Sequence, residues 1–325
     1  MGLSRRSLLI TSLSAFAAPR IASGQTAFPN KPIRFICPYA SGSSSDALSR
    51  QVCEKVGEIL GQRFVIDNRG GAGGTIGTAA IARSDPDGYT LGMGVNATHA
   101  VNIYLQKNLP YSPSRDFSPV ALLAIQPTVL VVNQKLGVKT FADFLALLKA
   151  NPGKYAFGNT GRGTSSHLAG EVFRKMANVD ITNVPYPGGQ ALTDLIGGTI
   201  HFMFYPIPTI KGAIDSGDLV ALATTNKERL ALFMPELPTM IELGYPDFFF
   251  AAWLGVYGPA GIPEPIVSTL SAAFRDALKD KTLSDTLVLT GSLPNYLPPD
   301  QFRDMTLSEI ERYKKVVEIA GLQAE

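Results

Sequence analysis

Gly158-Asn159-Thr160-Gly161-Arg162-Gly163-Thr164-Ser165-Ser166-His167-Leu168-Ala169-Gly170-Glu171 links an apolar, β-prone run, Tyr155-Ala156-Phe157, to a helical spacing of Leu168, Val172, Phe173 and Met176. The pattern reads as strand, tight loop and helix N-terminus. Spaced glycines let the backbone approach a ligand closely, and Thr164 or Ser165 can cap the helix. The open N–H groups of a first helical turn, at the positive end of the dipole, favour a carboxylate or phosphate. Alone, such a loop is equally well a capped connection that binds nothing.

A second loop of the same kind lies near the N-terminus. The strand Pro32 to Pro38 runs into Tyr39-Ala40-Ser41-Gly42-Ser43-Ser44-Ser45-Asp46, followed by a helix with Leu48, Val52, Val56, Ile59 and Leu60 on one face. Ser44, Ser45 or Asp46 is the expected cap. Phe64 to Asp67 is the next strand, leading into Asn68-Arg69-Gly70-Gly71-Ala72-Gly73-Gly74-Thr75-Ile76-Gly77. The dinucleotide spacing that starts Gly71-x-Gly73 fails at Ile76, and no Lys-Ser/Thr pair makes a P-loop, so this run reads as a turn needing φ > 0 beside tight packing. Asn96-Ala97-Thr98-His99-Ala100, after the strand Tyr89 to Met93, reads as another small polar loop.

Alternating strands and helices imply βαβ units around parallel sheet. Pro119 to Asn133 is apolar and long enough to leave one sheet and enter another, and Phe248 to Tyr257, with the single tryptophan Trp253, makes a return crossing. The expected fold class is α/β: two α/β domains joined by two crossing strands, with a ligand cleft between them. The boundaries drawn are 28–127 plus 250–325 for the first domain and 128–249 for the second.

Residues 1–24 read as an export signal: basic Arg5-Arg6, a short apolar stretch Ser7 to Ala18, and small residues Ala22-Ser23-Gly24 at the cleavage site. Ser4-Arg5-Arg6-Ser7-Leu8-Leu9 also resembles a twin-arginine motif, leaving both export routes open. Removing this segment takes away Arg5, Arg6 and Arg20 and no acid, so the net charge falls from +2 to −1. A near-neutral mature protein, expected in the periplasm if the signal is used, has no electrostatic footprint for nucleic acid or anionic lipid. The two cysteines, Cys37 and Cys53, are no disulfide framework for a chain of this size; whether they meet is open, and the reading favours free, buried thiols.

Three histidines, His99, His167 and His201, form no metal-ligand spacing, so neither metal nor cofactor is expected. Ser165 or Ser166 with His167 offers the rival reading, an exported serine hydrolase. Adjacent residues at a helix start point in different directions, however, and Gly-x-Ser-x-Gly is absent.

The mature chain carries Pro38-Tyr39…Gly42…Asp46…Arg50, Asn68 to Gly77 as quoted, Pro86-Asp87-Gly88-Tyr89-Thr90-Leu91, Asp116-Phe117-Ser118-Pro119-Val120, Gly163-Thr164-Ser165-Ser166-His167, Val184-Pro185-Tyr186 and Pro259-Ala260-Gly261. In these motifs it resembles the periplasmic solute-binding receptors of tripartite tricarboxylate transporters, also called Bug receptors. The resemblance implies a type II periplasmic binding protein fold closing over a small carboxylate between the two serine-rich loops. It also implies membrane transporter subunits as partners, a monomer, and no enzymatic activity. A ligand-sensing subunit for a membrane signalling partner is the other alternative. The expected ligand-binding set is Tyr39, Ser41, Gly42, Ser43, Ser44 and Asp46 from the first loop, Asn96, then Asn159, Gly161, Arg162, Gly163, Thr164, Ser165 and His167 from the second. Tyr186, Gly188, Tyr205 and Trp253 are expected to shape the pocket.

Several positions depart from the family pattern: Ser43 replaces a usual glycine, Arg162 a small or amide residue, Pro187 a usual Lys or Arg, and Tyr205 a frequent Asp. Gly163 is expected to let the backbone approach the ligand, and Arg162 to stand at the cleft mouth and help a second carboxylate. With a phenol at Tyr205 in place of an acid, the expected ligand carries no α-ammonium group.

Overall fold

The computed structural model describes residues 28–186 and 190–325, so the expected export segment and Gly188 lie outside the described residues. Apolar runs form β1 (Ile33–Cys37), β2 (Phe64–Asn68) and β3 (Thr90–Val95), with β1 parallel to both of the others. Between them stand α1 (Ser44–Leu60) and α2 (Thr75–Ala82). The Asn68 to Gly77 run takes positive φ at Gly71, Gly73 and Gly74 and packs Gly74 against the Tyr39 ring. Asn96 to Ala100 is not a loop. Ala97–Val101 is a buried π-helical turn, and Asn96 before it already has helical φ and ψ. It runs on into α3 (Asn102–Leu105).

β4 (Phe117–Asn133) holds the two halves together. Its first part, to Pro127, pairs with β9 (Ala251–Pro259) on one side and β10 (Leu293–Leu297) on the other. From Thr128 it pairs instead with β7 (Phe202–Pro206) and β8 (Leu219–Thr224). The partner change falls between Pro127 and Thr128, and proline there removes a ladder donor. In the second half, β7 and β6 (Thr182–Pro185) lie parallel to β5 (Ala156–Asn159). Its helices are α4 (Phe141–Ala150), α5 (Ser165–Met176), α6 (Gln190–Gly197) and α7 (Ile207–Asp215). The chain returns through Phe248–Phe250, whose Phe248 and Phe250 rings are buried, before entering β9. α8 (Glu264–Lys279), α9 (Lys281–Leu289) and α10 (Pro299–Ala320) then cover the first half. The full strand order is β2-β1-β3-β9-β4-β7-β5-β6, with β8 and β10 also on β4. Cys37 and Cys53 are free and buried, and burial pushes the Cys37 thiol up to about 11.

Candidate functional site

The loop before α1 is held open by its own acid. The Asp46 carboxylate accepts from the Gly42 N–H at 2.9 Å, from Arg50 Nε at 3.1 Å and from Asn68 Nδ2 at 2.9 Å. Burial alone would raise this carboxyl, but Arg50, the Gly42 N–H and Asn68 together hold it below its ordinary range. The cap is Ser43, one residue before the expected set: its Oγ accepts from the Asp46 N–H at 3.2 Å. Asp46 therefore positions the loop, its oxygens committed to these donors. Ser41 and Gly42 are exposed, while Ser43 and Ser44 are half-buried. The Ser44 and Ser45 N–H groups are the open donors of the first turn among the described residues.

The loop before α5 bonds most of its side chains within itself, although the Ser165 and Ser166 N–H groups, like those of Ser44 and Ser45, have no partner among the described residues. Thr164 caps the helix, accepting from the His167 N–H at 3.3 Å and donating to the Gly161 carbonyl at 2.7 Å. Asn159 accepts from the Gly161 N–H at 2.9 Å, and Ser166 Oγ accepts from the Thr160 N–H at 3.2 Å. His167 Nδ1 accepts from the Gly163 N–H at 3.2 Å, and burial depresses its imidazole. Asn96 Nδ2 donates to Ser165 Oγ at 2.9 Å and to the Tyr313 hydroxyl at 3.1 Å, tying this loop to the first half. Neither serine is hydrogen-bonded to His167, and the imidazole nitrogen that would serve as base already faces a backbone donor.

Two positions of this loop have protein partners that the sequence did not announce. A Cβ on Gly163, at φ +80, would lie 3.2 Å from side-chain atoms of Val101, Asn102 and Leu105, so a side chain here would crowd protein. Arg162 does not stand at the cleft mouth: Nη1 pairs with Glu325 at 2.6 Å and Nη2 donates to the Gln323 carbonyl. Its guanidinium is turned to the C-terminal residues because they supply both acceptors.

A cavity of about 330 Å³ lies between the halves instead, on the side of the first loop. One wall is Gly42, Ser43 and Ser44 with Gln51 from α1; the other is Pro208 and Thr209 at the start of α7. Gln126 of β4 with Thr290 and Ser292 from the α9–β10 connection completes it, and none of the described lining residues is charged. The second loop contributes no residue to this cavity among those described. Sequence reasoning missed Gln51, Gln126, Thr209, Thr290 and Ser292. A lone glutamine inside an apolar crossing strand was the available signal for Gln126, since a buried amide needs a partner.

Among the aromatic candidates, Tyr39 is half-buried with its phenol under Gly74, and burial raises it. Tyr186 is half-buried against the apolar cluster of the second half. Tyr205 belongs to that cluster and is 4% exposed; burial pushes its phenol up to about 12. Trp253 does not face the cavity: its Nε1 donates to Glu309 at 3.2 Å and its ring packs on Phe302. Both rings go to core because each sits on a strand face already covered by helices or by neighbouring apolar side chains.

Comparison with known proteins places these observations. Residues 48–322 match the family model described as tripartite tricarboxylate transporter family receptor. The chain is 36% identical to protein BugT of Bordetella pertussis over 315 residues, which is 96% of this chain and 95% of that one. Among solved structures, R. palustris Rpa4515 with adipate superposes with a TM-score of 0.87 at 32% identity, covering 92% of this chain and all of that one. MatC from Rhodopseudomonas palustris with bound malate gives 0.81 at 32% identity, covering 89% of this chain and 100% of that one.

Proposed function

Because the chain belongs to the tripartite tricarboxylate transporter receptor family, we propose that it captures a small carboxylate in the cavity between its halves and presents it to membrane transporter subunits. The observation that carries this is the α1 start: Ser44 and Ser45 N–H groups open at the positive end of a helix whose first residues line that cavity. Ser43 and Ser44 add hydroxyls beside them. Two relatives of the same fold hold dicarboxylates, adipate and malate, which fits an anion-binding receptor.

The remaining assignments follow from this reading. The protein acts in the periplasm as a monomer and performs no catalysis, the 165–167 trio being engaged in loop bonds. Residues 28–127 with 250–325, and 128–249, are the two domains that close on the ligand about the β4 partner change and the Phe248–Phe250 return. The cavity offers no acid to an ammonium group, so the ligand is a carboxylic acid without one. A thermal-shift panel tests this: a ligand at ~100 times its Kd adds about 2.7 kcal/mol of stability. Stabilisation by adipate, malate or an aromatic acid supports the proposal; stabilisation by glutamate or aspartate alone overturns the ligand class. No shift with any acid, and no acid in the mass spectrum of material released from fresh protein, overturns the carboxylate reading.

A further inference from the structure

Gln126 stands where β4 leaves one half for the other, its last neighbours on the β9 side being Ala252 and Ala251, and Thr128 two residues on already paired with Pro206. It is 2% exposed, yet it lines the cavity. Its Nε2 donates to Ser292 Oγ at 3.1 Å, and Ser292 is buried beside it. The other end of the amide has no partner among the described residues. That end is not sealed in the core: it opens to the cavity Gln126 lines, where a ligand group can meet it in place of water.

We propose that Gln126, oriented by Ser292, is a specificity-determining residue that reads an uncharged polar group, a hydroxyl, on the part of the ligand away from the α1 start. This rests on the carboxylate-receptor reading above and adds to it a ligand class: hydroxy-carboxylic acids. A hydroxyl suits the site because it both donates and accepts, so it satisfies the free end of the amide whichever way the amide is turned. The wall opposite, Pro208 and Thr209, supplies another hydroxyl and no charge. A second carboxylate there would find no cation in the lining, because Arg162 is held by Glu325 and Gln323.

The test uses matched acids that share the carboxylate and differ in one hydroxyl: hexanoate against 6-hydroxyhexanoate, and benzoate against 4-hydroxybenzoate. Titration calorimetry on the full mature chain is expected to show the hydroxy acid of at least one pair binding roughly tenfold or more tightly than its partner. Gln126→Met should bring that ratio close to one by weakening the hydroxy acid, leaving the plain acid within about threefold. A ratio unchanged in Gln126→Met overturns the inference, as does an equal loss for both acids, which would mark Gln126 as structural. Should Gln126→Met fail to fold, Ser292→Ala keeps the amide and removes its holder; a reduced ratio then supports the inference and an unchanged one overturns it. If wild type binds the plain acids as well as the hydroxy acids, this inference fails while the receptor reading stands. If it binds none of the four, and none of the acids in the panel above, the receptor reading fails first.

Discussion

The loop before α1 and the loop before α5 are built alike: a parallel strand, a glycine at positive φ, a hydroxyl cap, and a first turn of serines. They end in different environments. Gly42, at φ +82, has nothing within 4 Å of the place a Cβ would occupy, whereas Gly163, at φ +80, has three side chains at 3.2 Å. The first loop spends its acid on itself and leaves its helix start open to a cavity. The second ties the Thr164 and Ser166 hydroxyls into itself and the Ser165 hydroxyl to the opposite half, and lines no part of that cavity. The same local grammar thus yields a binding edge in one place and a packed seam in the other, and the neighbours decide which.

The largest expected break in this comparison is Gly163→Val against Gly42→Val. Both place a β-branched side chain at positive φ, which costs about 1–2 kcal/mol by itself. At Gly163 the crowding by Val101, Asn102 and Leu105 adds an overpacking cost of about 1–3 kcal/mol. Gly163→Val should therefore melt well below Gly42→Val in the absence of ligand, while Gly42→Val should do more harm to carboxylate affinity per degree of Tm lost. Equal melting temperatures would mean that the seam is not packed as described.

Acid sharpens the same contrast, because the two regions titrate in different windows. Burial holds the His99 imidazole, stacked on Tyr257 in the turn behind the second loop, at about 3 against an ordinary 6.5. A depressed histidine lets the unfolded chain take the proton first, so stability falls as pH drops below about 6.5 and goes on falling toward about 3. Between pH 7 and 4.5 this amounts to about 2–3 kcal/mol. Asp46 is lowered from an ordinary 3.8, so its contribution is present above that value and is lost only below it. Urea melts of wild type and His99→Phe across this range should diverge above pH 4.5, with the variant flatter; parallel curves would remove His99 as the cause.

Ser43→Ala acts on the open side. Losing the cap bond to the Asp46 N–H should cost about 1 kcal/mol of stability. It should also weaken adipate or malate binding, because Ser43 lines the cavity. Thr164→Ala removes the matching cap of α5 at a similar stability cost and should leave affinity unchanged. Equal losses of affinity in the two variants would erase the distinction between the loops.

Much of the fold was legible because its signals are local. The length of the apolar run at Pro119 to Asn133 exceeds what one sheet needs, and β4 spans both halves. The alternation of strand and helix patterns gives the two parallel units, and Thr140 with Asp143 marks the start of α4. What stayed hidden depends on segments that meet from afar. Asn96 and Ser165 are 69 residues apart, Gln126 and Ser292 166, and no periodicity reports such pairs. The cap of α1 was missed by one residue because any of four consecutive small polar side chains can do the job. Tyr205 and Trp253 look alike as pocket or core in sequence; only the helices and apolar neighbours packed over them decide.

Arg162 gives the smallest expected effect and the cleanest check on the second loop. A guanidinium facing the cleft would bind diacids better than monoacids, so its removal would lower their affinity ratio. Here its partners are the Glu325 carboxylate and the Gln323 carbonyl, and the Glu325 side chain is 76% exposed. An ion pair of this kind is worth about 0–1 kcal/mol and weakens with salt. Arg162→Gln should then shift Tm by at most a degree or two at low salt and less at high salt. The affinities for adipate and hexanoate should keep the ratio they have in wild type. A selective loss of adipate would return Arg162 to the cavity and show that the bonds to Gln323 and Glu325 give way when a ligand arrives.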